Sequence, residues 1–250
     1  MTAADLCRAG LRRPALRAAA LLGLALAGLP WSAPLFHALF PDLARPVYTR
    51  ASFFALALAH VELVVVSTGA AALAGVGLAV VATRRFGRDF APLLGAAAAA
   101  GQVVPPVAVL ALAVPMLGYG AAPTLAALGL YAVLPILEGA LTGLASVPAA
   151  AREAAQALGF SPRGLLLRVE LPLAAPFIVA GLRAAFIVNV GTAAIGSTVG
   201  ALSLGSPIVE GLAAQNPAYV LQGALLVALL AVFFDRAFAA AEAVVRARVI

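Results

Sequence analysis

Residues 153–172 read EAAQALGFSPRGLLLRVELP, a short polar break between apolar runs long enough to cross a bilayer. Ser146 and Pro148, just ahead of it, suit a helix N-terminus, where a hydroxyl accepts from free amides and a missing N–H costs nothing. Residues 149–158 are almost all strong helix formers, and Gly159 stands where a left-handed C-cap is wanted. Ser161 and Pro162 repeat the start signal, residues 165–171 continue helically, and Pro172 is expected to interrupt them. The segment therefore predicts helix, sharp glycine turn, helix. Its alanines leave a smooth ridge for another protein's groove, with Arg152 and Glu153 as charges at the edge. The plain alternative is an ordinary connection, alanine-rich because the whole chain is.

Outward from this break the chain is apolar. Of 250 residues, 64% are hydrophobic and 10% charged, against about half and a quarter in soluble domains. Continuous apolar runs at 18–40, 56–83, 91–117, 122–144, 173–199 and 218–234 predict an all-α polytopic membrane protein of about six transmembrane helices. The runs do not alternate and are too long for barrel strands. The whole of 1–250 reads as one transmembrane domain. The first run, though it follows arginines as a secretory signal would, is longer than a signal core and is expected to remain as a span.

Charge sets the expected orientation. All sixteen basic residues are arginine. Arg8, Arg12, Arg13, Arg17, Arg84, Arg85, Arg88, Arg152, Arg163, Arg168, Arg236, Arg246 and Arg248 fall on one side of a six-span arrangement; Arg45 and Arg50 fall on the other. The positive-inside rule then places both termini and the Glu153 loop in the cytoplasm. The arginines are scattered over loops without interleaved aromatics, so the basic pI does not imply nucleic acid. Cys7, His37 and His60 cannot assemble a metal site. Both histidines are expected near the outer interface, hydrated and without special role.

Within the runs, Glu62, Glu138 and Arg183 are charged, and Gln102 and Asn189 are neutral polar residues. A charge at mid-bilayer costs about 2.5–3.5 kcal/mol, which favours pairing or a wet cavity. Glu138 and Arg183 lie at similar sequence distances from the Glu153 loop, so they are expected at similar depth and as an ion pair. Contact with a translocated solute is the other reading for both. Gln102 and Asn189 are expected to bond to neighbouring helices or to line a path. Gly196-x-x-x-Gly200 permits close helix approach and is a candidate contact surface between subunits.

The spacing Glu153-Ala154-Ala155, Gly159, Val169-x-Leu171-Pro172 resembles the cytoplasmic loop by which membrane subunits of binding-protein-dependent ABC importers meet their ATPase. The resemblance covers most of 57–240. QVVP at 102–105, LGLYAVLPILEGALTGLASV at 128–147, AGLR at 180–183 and the glycine-containing segment 196–205 look like membrane subunits of osmoprotectant importers. The resemblance implies a type I importer permease fold with 57–240 as its core. It also implies a coupling loop at 147–172, and transport of glycine betaine, choline or carnitine across a bacterial inner membrane. Implied partners are two ATPase subunits carrying ATP-Mg, a second membrane subunit (itself or a homologue), and a periplasmic or lipid-tethered binding protein. No cofactor is expected on this chain, and without lysine no Walker A loop of the usual form can be built. Rival readings are an ABC permease for another small solute such as an amino acid, and an ion-coupled secondary transporter using Glu62 and Glu138.

Overall fold

The computed structural model describes residues 3–84 and 87–249, with side chains from Arg13 onward except at positions 88, 91, 98, 101, 102, 248 and 249. Every regular element among them is helical. In order they are α1 (Ala3–Gly28), α2 (Ala33–Leu39), α3 (Phe53–Thr83), α4 (Ala91–Val103), α5 (Pro106–Leu117), α6 (Ala121–Ala145), α7 (Ala149–Ala157), α8 (Pro162–Leu165), α9 (Leu171–Thr192), α10 (Ser206–Ala213) and α11 (Pro217–Val249). A π-helical turn, Leu166–Glu170, joins α8 to α9, and a 3-10 segment, Ala193–Val199, follows α9.

Among the described residues, five stretches are long and apolar enough to cross a membrane: Arg13–Trp31, Phe53–Thr83, Ala121–Ala145, Pro162–Val199 and Pro217–Ala247. Two of the expected runs are broken. The third divides at Val104–Pro105 into α4 and α5, because a proline disfavours helix at the residue before it and cannot donate within one. The first bends at Leu29–Trp31 into the short α2. Leu24, Leu73, Leu112 and Met116 stand fully outward, as side chains facing hydrocarbon do.

Helix α6 lies at the centre, packed on α3 and on α9, while α11 packs on α9, α10 and α1. Glycine makes the α6–α9 approach possible. A Cβ on Gly139 would stand 2.7 Å from the Phe177 carbonyl oxygen, one on Gly143 2.8 Å from that of Ala174, and one on Gly181 2.5 Å from that of Pro135. Backbones this close exclude any side chain. Gly196 is likewise used inside the chain, against Thr124 of α6, and Gly200 is a left-handed cap at φ +85°. Gly196 is therefore not free to meet a second subunit as expected, because it is buried in the 3-10 segment that follows α9, whereas Gly200 is exposed.

Buried polar groups tie the helices. Asn189 on α9 donates to Ser67 Oγ (3.3 Å) and Thr68 Oγ1 (3.0 Å) on α3. His60 is not the hydrated interfacial residue expected from its position. It is fully buried, with Nδ1 accepting from the Leu204 amide (3.3 Å) and Nε2 2.8 Å from the Val190 carbonyl. An amide can only donate, so Nε2 carries the proton. At the end of the bundle opposite α7, Gln222 of α11 accepts from the Tyr48 amide and donates to the Pro46 carbonyl, fixing the 41–51 loop. Burial and the neighbouring Glu210 carboxylate raise the Tyr48 pKa above its ordinary value.

Candidate functional site

Helix α7 ends in the turn that Gly159 was expected to make. Gly159 has φ +80°, its amide donates to Gln156, and the Phe160 amide reaches back to Ala155, a Schellman arrangement. Ser161 caps α8, accepting from the Gly164 amide at 3.2 Å, with Pro162 behind it. The start of α7 differs from expectation. Ser146 belongs to the end of α6 and donates to the Gly143 carbonyl, and Pro148 precedes α7 without a side-chain cap. Pro172 does not interrupt a helix either. It lies in the first turn of α9, where its missing N–H is harmless, and the irregularity precedes it as the π-turn.

The motif residues divide by face. Glu153, Ala154, Gly159 and Pro172 are exposed, Ala155 is buried, and Val169 and Leu171 are half-buried, Leu171 against the cluster around Leu144 and Ala174. Beside the exposed ridge, Leu158 and Leu167 project 78% and 63% exposed along a cleft that Arg163 and Arg168 also line. Leucines held outward on a polar connection, ringed by arginines, are surface that a partner would cover.

The inward face carries a cluster that the sequence reading did not single out. Glu170, 5% exposed at the end of the π-turn, takes Arg84 on Oε2 at 2.6 Å and Arg152 on Oε1 at 3.0 Å. Arg152 also donates to the Leu144 carbonyl (2.6 Å) and the Val147 carbonyl (3.1 Å), acceptors left free where α6 ends. It is therefore an anchor pointing into the bundle rather than a charge at the edge of α7. The available signal was an acidic residue directly before Leu-Pro, at a helix N-terminus where negative charge is favoured, in a loop rich in arginine.

The other sequence-derived candidates lie apart from this loop. Arg183 does not pair with Glu138. Its guanidinium bonds Asp235 of α11 through Nε (2.9 Å) and NH2 (2.6 Å), with Glu242 at 3.5 Å. Glu138 is exposed and forms no ion pair among the described residues. Similar depth left the angle around the helix open: Gly139 occupies the seam with α9, and Glu138, one position round, points away from it. Glu62 is also exposed, at a cavity of about 270 Å³ lined by Leu63, Val66, Leu125 and Leu202. Asn189 joins α9 to α3. Gln102 falls in α4, and its side chain lies outside the described residues.

Residues 71–247 match the family described as "Binding-protein-dependent transport system inner membrane component". The chain is 40% identical over 141 residues to the choline transport system permease protein OpuBB of Bacillus subtilis, covering 56% of this chain and 65% of that one. It is 37% identical over 176 residues to the osmoprotectant import permease protein OsmY of Salmonella typhimurium, covering 70% and 75%. Among solved structures, an inward-facing form of the MetNI methionine ABC transporter superposes with TM-score 0.65 at 23% identity, over 76% of this chain and 93% of that one. An amino acid ABC transporter structure gives 0.61 at 18%, over 76% and 92%. At these identities the two structures speak to fold alone. The match spans just under two thirds of the Bacillus permease's length.

Proposed function

The chain belongs to the family of binding-protein-dependent transport system inner membrane components, and from that membership we propose that it is the membrane subunit of an ATP-driven importer for quaternary-amine osmoprotectants. The carrying observation is the α7–Gly159–α8 turn, which holds Glu153, Ala154, Leu158 and Leu167 outward as a docking face within a chain of this family. Substrate class rests on the choline and osmoprotectant permeases that the chain resembles.

In this reading, ATP with magnesium is bound and hydrolysed on two separate ATPase subunits. The membrane part is a pair, this chain with itself or with a homologue, because each copy offers one docking turn. A periplasmic or lipid-tethered binding protein delivers substrate to the face opposite α7. Both termini and α7 lie in the cytoplasm of a bacterial cell, as the arginine distribution favours. Closure of the ATPases draws the two docking turns together and opens the path outward; separation after hydrolysis opens it inward, a rigid-body switch between two states. Arg183 and Asn189 serve helix pairing. Glu138, exposed and unpaired, faces the path, and Gln102 is a further candidate there.

Reconstitution with the ATPase and binding protein tests this. Uptake of radiolabelled choline, glycine betaine or carnitine should require ATP and the binding protein. Uptake of methionine alone would reassign the substrate; uptake driven by a proton or sodium gradient without the ATPase would overturn the class.

A further inference from the structure

Helix α7 is nine residues long, below the length at which a helix holds itself in water. Ala155 alone among its residues is buried. Beneath it a cleft of about 540 Å³ reaches Thr83, Leu141 and Leu165, so apolar packing is not what seats it. What seats it is Arg152, held to the Leu144 carbonyl of α6, to the Val147 carbonyl of the link after it, and to Glu170 by an ion pair. The second oxygen of that carboxylate holds Arg84, the residue at which α3 ends. Neither arginine has another carboxylate among the described residues. One buried group thus joins the docking helix to α3, α6 and the start of α9.

We propose that the Arg84–Glu170–Arg152 cluster is the joint through which movement of α7 is delivered to α3 and α6, with Glu170 as its positioning residue. The proposal rests on reading α7 as the ATPase-docking helix, and it goes beyond the docking motif, since none of the three residues is one of its specified positions. A bridging carboxylate suits this task. Its two oxygens serve different partners, so displacing one guanidinium pulls on the other. Charge-assisted hydrogen bonds are also shorter and stronger than neutral ones.

The test uses the complete complex in proteoliposomes, with radiolabelled choline and glycine betaine as probes. Glu170→Gln keeps the shape and removes the charge; Arg84→Gln cuts only the arm to α3; Glu170→Asp keeps the charge. Expected results are complexes that assemble with the ATPase and hydrolyse ATP at the basal rate. In Glu170→Gln and Arg84→Gln, stimulation by loaded binding protein and uptake per ATP fall about tenfold, a usual size for coupling between distant sites. Glu170→Asp recovers part of the loss, and the double substitution is no worse than Glu170→Gln alone. Normal stimulation and uptake in Arg84→Gln would overturn the proposal, even where Glu170→Gln fails to accumulate. A loss confined to yield, with each assembled complex transporting normally, would overturn it too by leaving a purely structural role. A wild-type complex that hydrolyses no ATP would instead remove the importer reading itself.

Discussion

A guanidinium inside a bilayer needs a counter-charge, and Arg183 finds two on α11. Removing Arg183 or Asp235 deletes the two short bonds between them, at a cost of about 1.5–3 kcal/mol for hydrogen bonds to charged groups, with Glu242 left as the remaining counter-charge when Asp235 is lost. Arg183→Gln and Asp235→Asn should each lower thermal stability in detergent by that order, with the double change recovering part. Glu138→Gln should be within about 0.5 kcal/mol of neutral, as for a surface change, and additive with Arg183→Gln. Coupling between Glu138 and Arg183 in that cycle would contradict the arrangement. Gly159 is a second sensitive position, because an alanine at φ +80° costs about 1–2 kcal/mol. The turn lies at the surface with nothing within 4 Å of the missing Cβ. Gly159→Ala should therefore leave membrane insertion intact and reduce substrate-stimulated ATP hydrolysis. Unchanged stimulation would separate the turn from coupling.

At the scale of elements, the α6–α9 seam is a close approach of two backbones. Gly143→Leu would drive a branched side chain against the Ala174 carbonyl and the Phe177 side chain. Overpacking of this kind costs about 1–3 kcal/mol, and the yield of monodisperse protein should fall, whereas Gly129→Ala, with open space around it, should not change it. Most elements were legible in the sequence. Long apolar runs gave the spanning helices, and the Ser161-Pro162 and Gly159 signals gave the α7–α8 turn, since these depend on local chemistry alone. What a run cannot carry is azimuth. Depth placed Glu138 beside Arg183, but the glycine seam decides which way each faces. The Arg84–Glu170–Arg152 cluster was hidden for a related reason: its members are 86 and 18 residues apart in the chain, and only folding brings them together. His60 was misread because span ends were judged by hydropathy, while α3 continues past it into packed protein.

For the whole molecule, sidedness has a direct readout in the single cysteine. Cys7 lies before the first span, so an impermeant maleimide should leave right-side-out vesicles unlabelled until they are permeabilised; labelling of sealed vesicles would invert the orientation. The divided third run has another bearing on the assembled protein. α4 and α5 hold 13 and 12 residues, about 20 Å each at 1.5 Å per residue, too short to cross hydrocarbon about 30 Å thick unaided. The chain passes between them through two successive imino acids, Pro105 and Pro106, and the Pro105 carbonyl is taken by the Ala108 amide at 2.9 Å. A swivel at this depth would ordinarily strand backbone N–H groups away from water, and the two prolines remove that burden by having none to strand. The two prolines therefore leave two fewer N–H groups to satisfy where the half-helices meet, which lowers the dehydration cost of any change of angle between them.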